Sequence, residues 1–408
     1  MASTLSEDLI RNLTTTSTVP IVFRNFISNW LITQWNEEKW SSVFSNKKIP
    51  FRCLRKDFVS EEPCWERRCS VKTQLFKDFL KNLNGEEWMY FDYKYLHQWL
   101  PAESELCKQE LSWKQFGYPD KGASDSTLWV GSKGSHTPCH QDTYGYNIVA
   151  QLYGRKRWIL FPPETGGLKP TRVPYEESSV YSELNFYCPS NLDDFHSLIG
   201  ARLVELSAGD ALLVPRGWWH YVQNMDPLNI AVNIWLPHEK DTSTQVSEAL
   251  IKILVAQLCK DLPQETARLL VNPNEDDIAD MPLAVLFLQL ETVAKAYLDK
   301  KRKLHRAKRQ KTREEDPEVA ASEEFDLKDL VNNPTNKLEI VPMISNEKLT
   351  DLLRANLSEF ANNEKQVDED EVDGTSSLCL TKAVIDAFSQ SNVIELVKQN
   401  LFTRLTQL

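Results

Sequence analysis

The stretch Ser126–Pro163, STLWVGSKGSHTPCHQDTYGYNIVAQLYGRKRWILFPP, decides how the chain reads. Thr127 to Val130 reads as a strand, followed by a Gly/Ser turn and then a strand pair closed at Gly154. At its centre stands His140-Gln141-Asp142. Along a strand, residues i and i+2 point to the same face, so this imidazole and this carboxylate converge. A second imidazole comes in LLVPRGWWHYV, where the apolar strand Ala211–Val214 leads into a loop carrying His220. Two His and one carboxylate match the facial triad that holds non-haem Fe(II) and leaves open positions on the metal. An isolated H-x-D is common, however, and a His is more often a satisfied core or surface residue than a ligand. The triplet has to be weighed with its surroundings.

Those surroundings are SHTPCHQD, NIVAQLYGRKRWILFPP, PRGWWHYV and NIAVNIW. In this order and spacing they resemble the JmjC oxygenases, nearest to their asparaginyl-hydroxylase-like branch. The runs Phe91–Tyr95, Ser126–Gly131 and Pro170–Val180 are similar to a narrower JmjC group associated with a small heat-shock protein. The resemblance covers about residues 17 to 300 and extends only loosely to the tail. It implies a mainly β fold with α elements, a cupin double-stranded β-helix with flanking and C-terminal helices. It also implies Fe(II), 2-oxoglutarate as co-substrate and O2, with His140, Asp142 and His220 as the catalytic metal ligands.

The distal carboxylate of such a co-substrate needs a cation and hydroxyl donors deep in the barrel. Lys156 occupies the place of the family's lysine, Thr137 and Tyr90 resemble its hydroxyl donors, and Asn147 and Asn233 match the amides bordering the co-substrate. Outside that motif Lys156 would read as a solvated hairpin charge. One departure bears on these transfers. Near Tyr144-Gly145-Tyr146 the chain carries one residue more than the asparaginyl hydroxylases. A bulge there would absorb it, whereas a shifted register would turn Asn147 and Lys156 to the wrong side. The bulge is preferred, because Ile148, Gln151 and Gly154 keep their spacing.

With 408 residues the chain is long enough for one large core or two domains. The N-terminus MASTLSEDLIRNL lacks a basic-then-apolar leader, and no apolar run reaches membrane-spanning length. A cytoplasmic address, extending to the nucleus, is expected, without membrane attachment. Eight Cys without C-x-x-C pairs indicate neither a zinc module nor a disulfide framework. The net charge of −11 argues against nucleic acid as a partner.

Residues 5 to 15 suggest an amphipathic helix, Pro20–Phe23 and Ile49–Asp57 strands, and Lys72–Leu83 a helix with one apolar face. Trp30, Trp35 and Trp40 recur every five positions, which fits separate core anchors rather than a helix stripe. Trp218, Trp219 and Trp235 are expected to pack the barrel. The Tyr-rich insert after Pro163 is expected at the barrel mouth, with Tyr175, Tyr181 and Tyr187 suited to peptide contact. Short strands at Arg202–Leu206, Ala211–Val214 and Asn229–Leu236 complete a barrel.

Four segments result: a catalytic domain with its N-terminal supports at 1–240, a helical extension at 241–310, a charged, partly disordered linker at 311–375, and a C-terminal helical interaction segment at 376–408. The basic run Lys301–Lys311 reads most commonly as a solvated helix end, with a nuclear signal or nucleic-acid arm as alternatives. Leu378 to Leu405 reads as one or two amphipathic helices that dock on the core, on a partner, or on a second copy as a homodimer.

The expected function is an Fe(II)- and 2-oxoglutarate-dependent dioxygenase of the hydroxylase type. Its expected substrate is a protein side chain, and its expected partner, with a link to the stress response, is a small heat-shock protein. The alternatives are a catalytically silent JmjC-fold binding protein acting through that partner, and an RNA-modifying hydroxylase. Histone demethylation is a further enzymatic alternative, although no zinc-finger reader with clustered Cys is appended.

Overall fold

The computed structural model describes residues 5–100, 111–171, 179–263, 267, 270–271, 281–314, 327–360 and 376–405. The chain divides into two compact units. The first comprises Met1–Lys169, Ser182–His238 and Leu327–Asp368, and the second Pro170–Tyr181, Glu239–Asp326 and Glu369–Leu408.

The first unit is built from β1 (Ile21–Phe23), β2 (Lys48–Arg55), β3 (Ser70–Leu75), β4 (Glu87–Tyr95), β5 (Thr127–Ser132), β6 (His136–Asp142), β7 (Tyr146–Tyr153) and β8 (Lys156–Phe161). After β9 (Ser179–Tyr181), which belongs to the second unit, it continues with β10 (Arg202–Leu206), β11 (Ala211–Val214), β12 (Trp219–Asn224), β13 (Leu228–Leu236) and β14 (Leu338–Ile340). One sheet runs in the order β14-β1-β11-β7-β13-β5-β4-β2-β3. In a second sheet β10, β8, β12 and β6 lie side by side in that order. All of these neighbours pair antiparallel, and the alternation from sheet to sheet along β5–β8 and β10–β13 is that of a double-stranded β-helix. Apolar side chains from both sheets, among them Val149, Trp158, Leu160, Leu212 and Val222, fill one core.

Local chemistry explains the flanking elements. Ser6 caps the helix Glu7–Thr16 by accepting from the Leu9 amide at 3.2 Å, and Glu7 and Asp8 in its first turn suit the helix dipole. Ile10 and Leu13 of that helix are buried. The tryptophans are core anchors: Trp30 meets Trp113 edge-on at 5.4 Å, and Trp35 meets Trp40 at 5.0 Å.

Three expectations about this unit change. Residues 72–83 are not one helix. Val71 and Thr73 favour extended backbone, Ser70–Leu75 pairs along β2 as an edge strand, and only Phe76–Lys81 is helical, burying Phe76 and Phe79. Within 311–375, expected as a charged linker, the segment 327–360 belongs to the barrel unit. There β14 pairs with β1 through Ile21↔Ile340 and Phe23↔Leu338, and Val341 enters the core. The helix Asn346–Glu359 follows, capped by Ser345 and burying Leu349 and Leu353. The acidic stretch Asn362–Gly374 lies outside the described residues. Finally, His220 sits in β12 itself rather than in a loop before it.

In the second unit the helix Asp241–Cys259 packs with Leu283–Glu314 and with the C-terminal pair Ser376–Phe388 and Ser391–Leu405. Ile251, Val255, Leu286 and Ile385 share one buried cluster, and Lys398 donates to the Ser243 hydroxyl at 2.7 Å. The C-terminal pair therefore docks on the unit's own first helix. Lys301, Arg302 and Lys303 are exposed on the long helix. Among the described residues no helix is long and apolar enough to cross a membrane.

Candidate metal centre

The site lies between the two sheets. His140 and His220 are direct cross-strand partners on β6 and β12, and their ring centroids are 4.1 Å apart. Asp142, two residues beyond His140 on β6, brings Oδ1 to 3.8 Å from His140 Nε2. One donor atom from each of the three residues lies within 4.8 Å of the others, and the described residues contain no other such cluster of His, Cys, Asp or Glu.

The backbone sets the imidazole tautomers. His140 Nδ1 is 2.9 Å from the Pro138 carbonyl, and His220 Nδ1 is 2.9 Å from the Trp218 carbonyl. A carbonyl oxygen only accepts, so in the neutral ring each Nδ1 carries the proton and donates. Burial, reinforced by the neighbouring His220, pushes the pKa of His140 down to about 4, so its ring is neutral at neutral pH. Trp158 lies under the His220 ring at 5.6 Å. Asp142 Oδ2 accepts from Trp235 Nε1 at 3.1 Å, which turns the other oxygen toward the imidazoles.

A cavity adjoins the triad. From the second sheet it is lined by Thr137, Lys156, Trp158 and Val222 beside the triad itself. From the larger sheet it is lined by Tyr90, Trp129, Asn147, Val149, Asn233 and Trp235. Most of these obey the two-residue period of their strands: Asn147 with Val149, Lys156 with Trp158, His220 with Val222, Asn233 with Trp235. Thr137 does not share parity with His140. A bulge reconciles them, because between His220↔His140 and Val222↔Thr137 the β6 strand spends three residues against two on β12.

All eight sequence-derived candidates thus border one cavity. The extra residue near Tyr144 needs no bulge there, because Thr143–Gly145 forms the connection between β6 and β7 and Gly145 takes a φ of 66°. Asn147 and Lys156 consequently keep their inward register.

Lys156 is 3% exposed, and among the described residues no carboxylate lies within ion-pair distance of it. Its Nζ donates to the Tyr90 hydroxyl at 3.4 Å and rests 5.8 Å from the Trp129 ring. Burial lowers its pKa to about 7, and the more distant charge of Asp92 only partly opposes this. Tyr90 is hydrogen-bonded to Thr137, and burial together with the Asp92 charge raises its pKa, keeping the phenol protonated. Asn233 donates to Asn147 Oδ1 at 2.9 Å and accepts from Trp129 Nε1 at 2.8 Å.

Trp235, expected to be core, is instead a cavity wall that hydrogen-bonds a triad carboxylate. Its parity with Asn233 in NIAVNIW carried that signal. Tyr187, expected at the mouth for peptide contact, is 7% exposed and stacks on His136 at 4.1 Å. Tyr181 is likewise buried, and Tyr175 lies outside the described residues.

This fold and this site define a class, and comparison with known proteins agrees: the chain belongs to the cupin-like domain family, matching it over residues 8–242, and is of the JmjC type. It is 38% identical over 299 residues to HSPB1-associated protein 1 of Homo sapiens, covering 69% of this chain and 60% of that protein. It is 40% identical over 273 residues to the Bos taurus protein of the same name, covering 63% of this chain and 56% of that protein. A more distant match, 35% identical over 136 residues, is to lysine-specific demethylase JMJ31 of Arabidopsis thaliana, with 32% of this chain and 24% of that protein covered. The chain thus spans 56 to 60% of the length of the two HSPB1-associated relatives.

Proposed function

We propose that the chain is an Fe(II)- and 2-oxoglutarate-dependent oxygenase that hydroxylates a protein side chain. The observation that carries this reading is the pairing, in one cavity, of a two-His, one-carboxylate cluster with a buried lysine that has no carboxylate partner among the described residues. A buried cation without a counter-ion is costly, and an anionic ligand would relieve that cost. The donor set of two imidazoles and one carboxylate suits Fe(II) and would leave positions for a chelating 2-oxo acid and O2. When bound, the metal would supply the coupling of oxidative decarboxylation of 2-oxoglutarate, to succinate and CO2, with insertion of one oxygen atom into a substrate C–H bond.

The protein's own residues have distinct tasks. His140 and His220 present Nε2, held by their Nδ1–H bonds to the backbone. Trp235 orients Asp142. Lys156, with Tyr90 and Thr137, receives the distal carboxylate of the co-substrate, while Asn147 and Asn233 border it. The apolar walls Val149, Trp158 and Val222 keep water from the interior.

The names of the HSPB1-associated relatives support a small heat-shock protein as partner. Succinate release, assayed with a fractionated cytosolic proteome and with total RNA, tests the reading. Stimulation by a protein fraction, lost in Asp142→Ala, is expected. Stimulation by RNA alone, lost when Lys301, Arg302 and Lys303 are neutralised, would assign an RNA substrate. No stimulation by either, with 2-oxoglutarate left unbound, would favour a silent binding protein.

A further inference from the structure

Strand β4 breaks its own alternation beside the site. By the two-residue period Tyr90 and Asp92 should share one face, and Phe91 and Tyr93 the other. The first three comply: Tyr90 lines the cavity, Asp92 accepts from Arg52 at 2.6 Å on that side, and Phe91 packs on Trp99 at 4.9 Å. Tyr93 does not follow Phe91. Its ring lies 5.3 Å from Trp235 and 6.0 Å from Trp129, both walls of the cavity. The backbone shows how this happens. The register between β4 and β5 shifts between Phe91 and Lys94, and Tyr93 holds a φ of 53°. Left-handed backbone is uncommon for a bulky aromatic residue, and a bulge of this kind re-aims a side chain.

Burial does not explain the strain, because Tyr93 stays 47% exposed. Its hydroxyl stands 3.5 Å from that of Tyr95, which is also exposed. Tyr93, Trp129 and Trp235 therefore form a faceted aromatic surface running outward from the cavity wall. Its inner end is fixed to the metal centre, since Trp235 is hydrogen-bonded to Asp142. The centroids, 5.3 to 6.4 Å apart, put the rings in mutual contact. No slot remains between them for a branched aliphatic group, so what the surface offers is ring faces and edges. Such surfaces favour a planar group, stacked or edge-on, and a guanidinium is attracted to their negative faces.

We propose that Tyr93, with Trp129 and Trp235, is a specificity subsite at the rim of the centre that seats a planar side chain of a peptide substrate, either an aromatic ring or a guanidinium. This rests on the reading of the centre as a protein hydroxylase. The strained backbone at Tyr93 is the cost of placing that ring on the substrate's side of the strand.

The test uses the full chain loaded with Mn(II) and N-oxalylglycine, an unreactive co-substrate analogue, against a positional-scanning peptide library. Enrichment of Trp, Tyr or Arg over Leu at one library position is expected. Tyr93→Ala should lower that planar-to-Leu ratio about three- to tenfold, and Tyr93→Phe should preserve it. Raising the salt separates the sources, since guanidinium enrichment falls and ring enrichment persists. No planar preference in the wild type, or a preference that survives Tyr93→Ala, overturns the subsite. Mn(II) and N-oxalylglycine binding are measured on the same samples. If both bind and the planar preference is missing, only the subsite fails; if neither binds to the wild type, the hydroxylase reading fails, and the planar preference is still scored by itself.

Discussion

Replacing Lys156 with Met should stabilise the protein while disabling it, by an amount that depends on pH. The unbranched side chain shortens by one atom and loses its charge, in a position 3% exposed and lacking a carboxylate partner among the described residues. Burial lowers the pKa of Lys156 from an ordinary 10.5 to about 7. At 1.36 kcal/mol per pH unit, that gap corresponds to about 5 kcal/mol of cost to the folded state when the amine is charged. Below about pH 7 the lysine is protonated in both folded and unfolded chains, and the whole cost applies. Between about 7 and 10.5 the unfolded chain holds a proton that the folded chain has released, so raising the pH through this window favours folding of the wild type. The Met variant has no such dependence. Its advantage over the wild type should therefore shrink by about 3 kcal/mol between pH 6 and pH 9.

Urea denaturation followed by tryptophan fluorescence reads the barrel unit specifically, because all 12 tryptophans lie between Trp30 and Trp235 in that unit. The same variant should bind 2-oxoglutarate about one to two decades more weakly, the value of a charged hydrogen bond in a closed pocket. Parallel stability curves for the two proteins across this pH range would instead place the Lys156 amine in water.

Two further outcomes follow from single contacts. Trp235→Phe removes the donor to Asp142 Oδ2 while keeping an aromatic wall, and should weaken Fe(II) binding about tenfold with little loss of stability, read by metal titration beside urea denaturation. Leu338→Ala, in the short strand β14, should cost the barrel unit about 2 to 3 kcal/mol without changing metal stoichiometry, since Leu338 is 3% exposed and packs at a sheet edge remote in sequence from the triad.

Much of the centre is legible in the sequence because strand periodicity is a strict rule. His140 and Asp142 had to share a face, and alternation in NIAVNIW and GRKRWILF turns Asn233 and Lys156 inward once the register is right. The parts that were not legible depend on departures from that rule or on partners far along the chain. Thr137 reaches the cavity only because β6 carries a bulge opposite β12, and Tyr93 only because β4 turns left-handed at that residue. The β4 bulge has no glycine or proline to announce it, and Pro138 within the β6 bulge gives no register by itself. Trp235 looks like any core tryptophan until its Nε1 finds Asp142. Leu338–Ile340 is too short to show a period, lies in a polar stretch, and becomes a strand only by pairing with β1 more than three hundred residues earlier. Phe76 and Phe79 announced a helix, but the residues before them, Val71 and Thr73, answer to the open edge of β2 instead.

The most direct test of an Fe(II) centre at His140, Asp142 and His220 is anaerobic equilibrium dialysis of the full chain against Fe(II), comparing the wild type with Asp142→Ala. One Fe(II) per chain is expected in the wild type and none in the variant, whose tryptophan fluorescence and urea midpoint remain those of a folded barrel. Equal stoichiometry in the two proteins would contradict that centre.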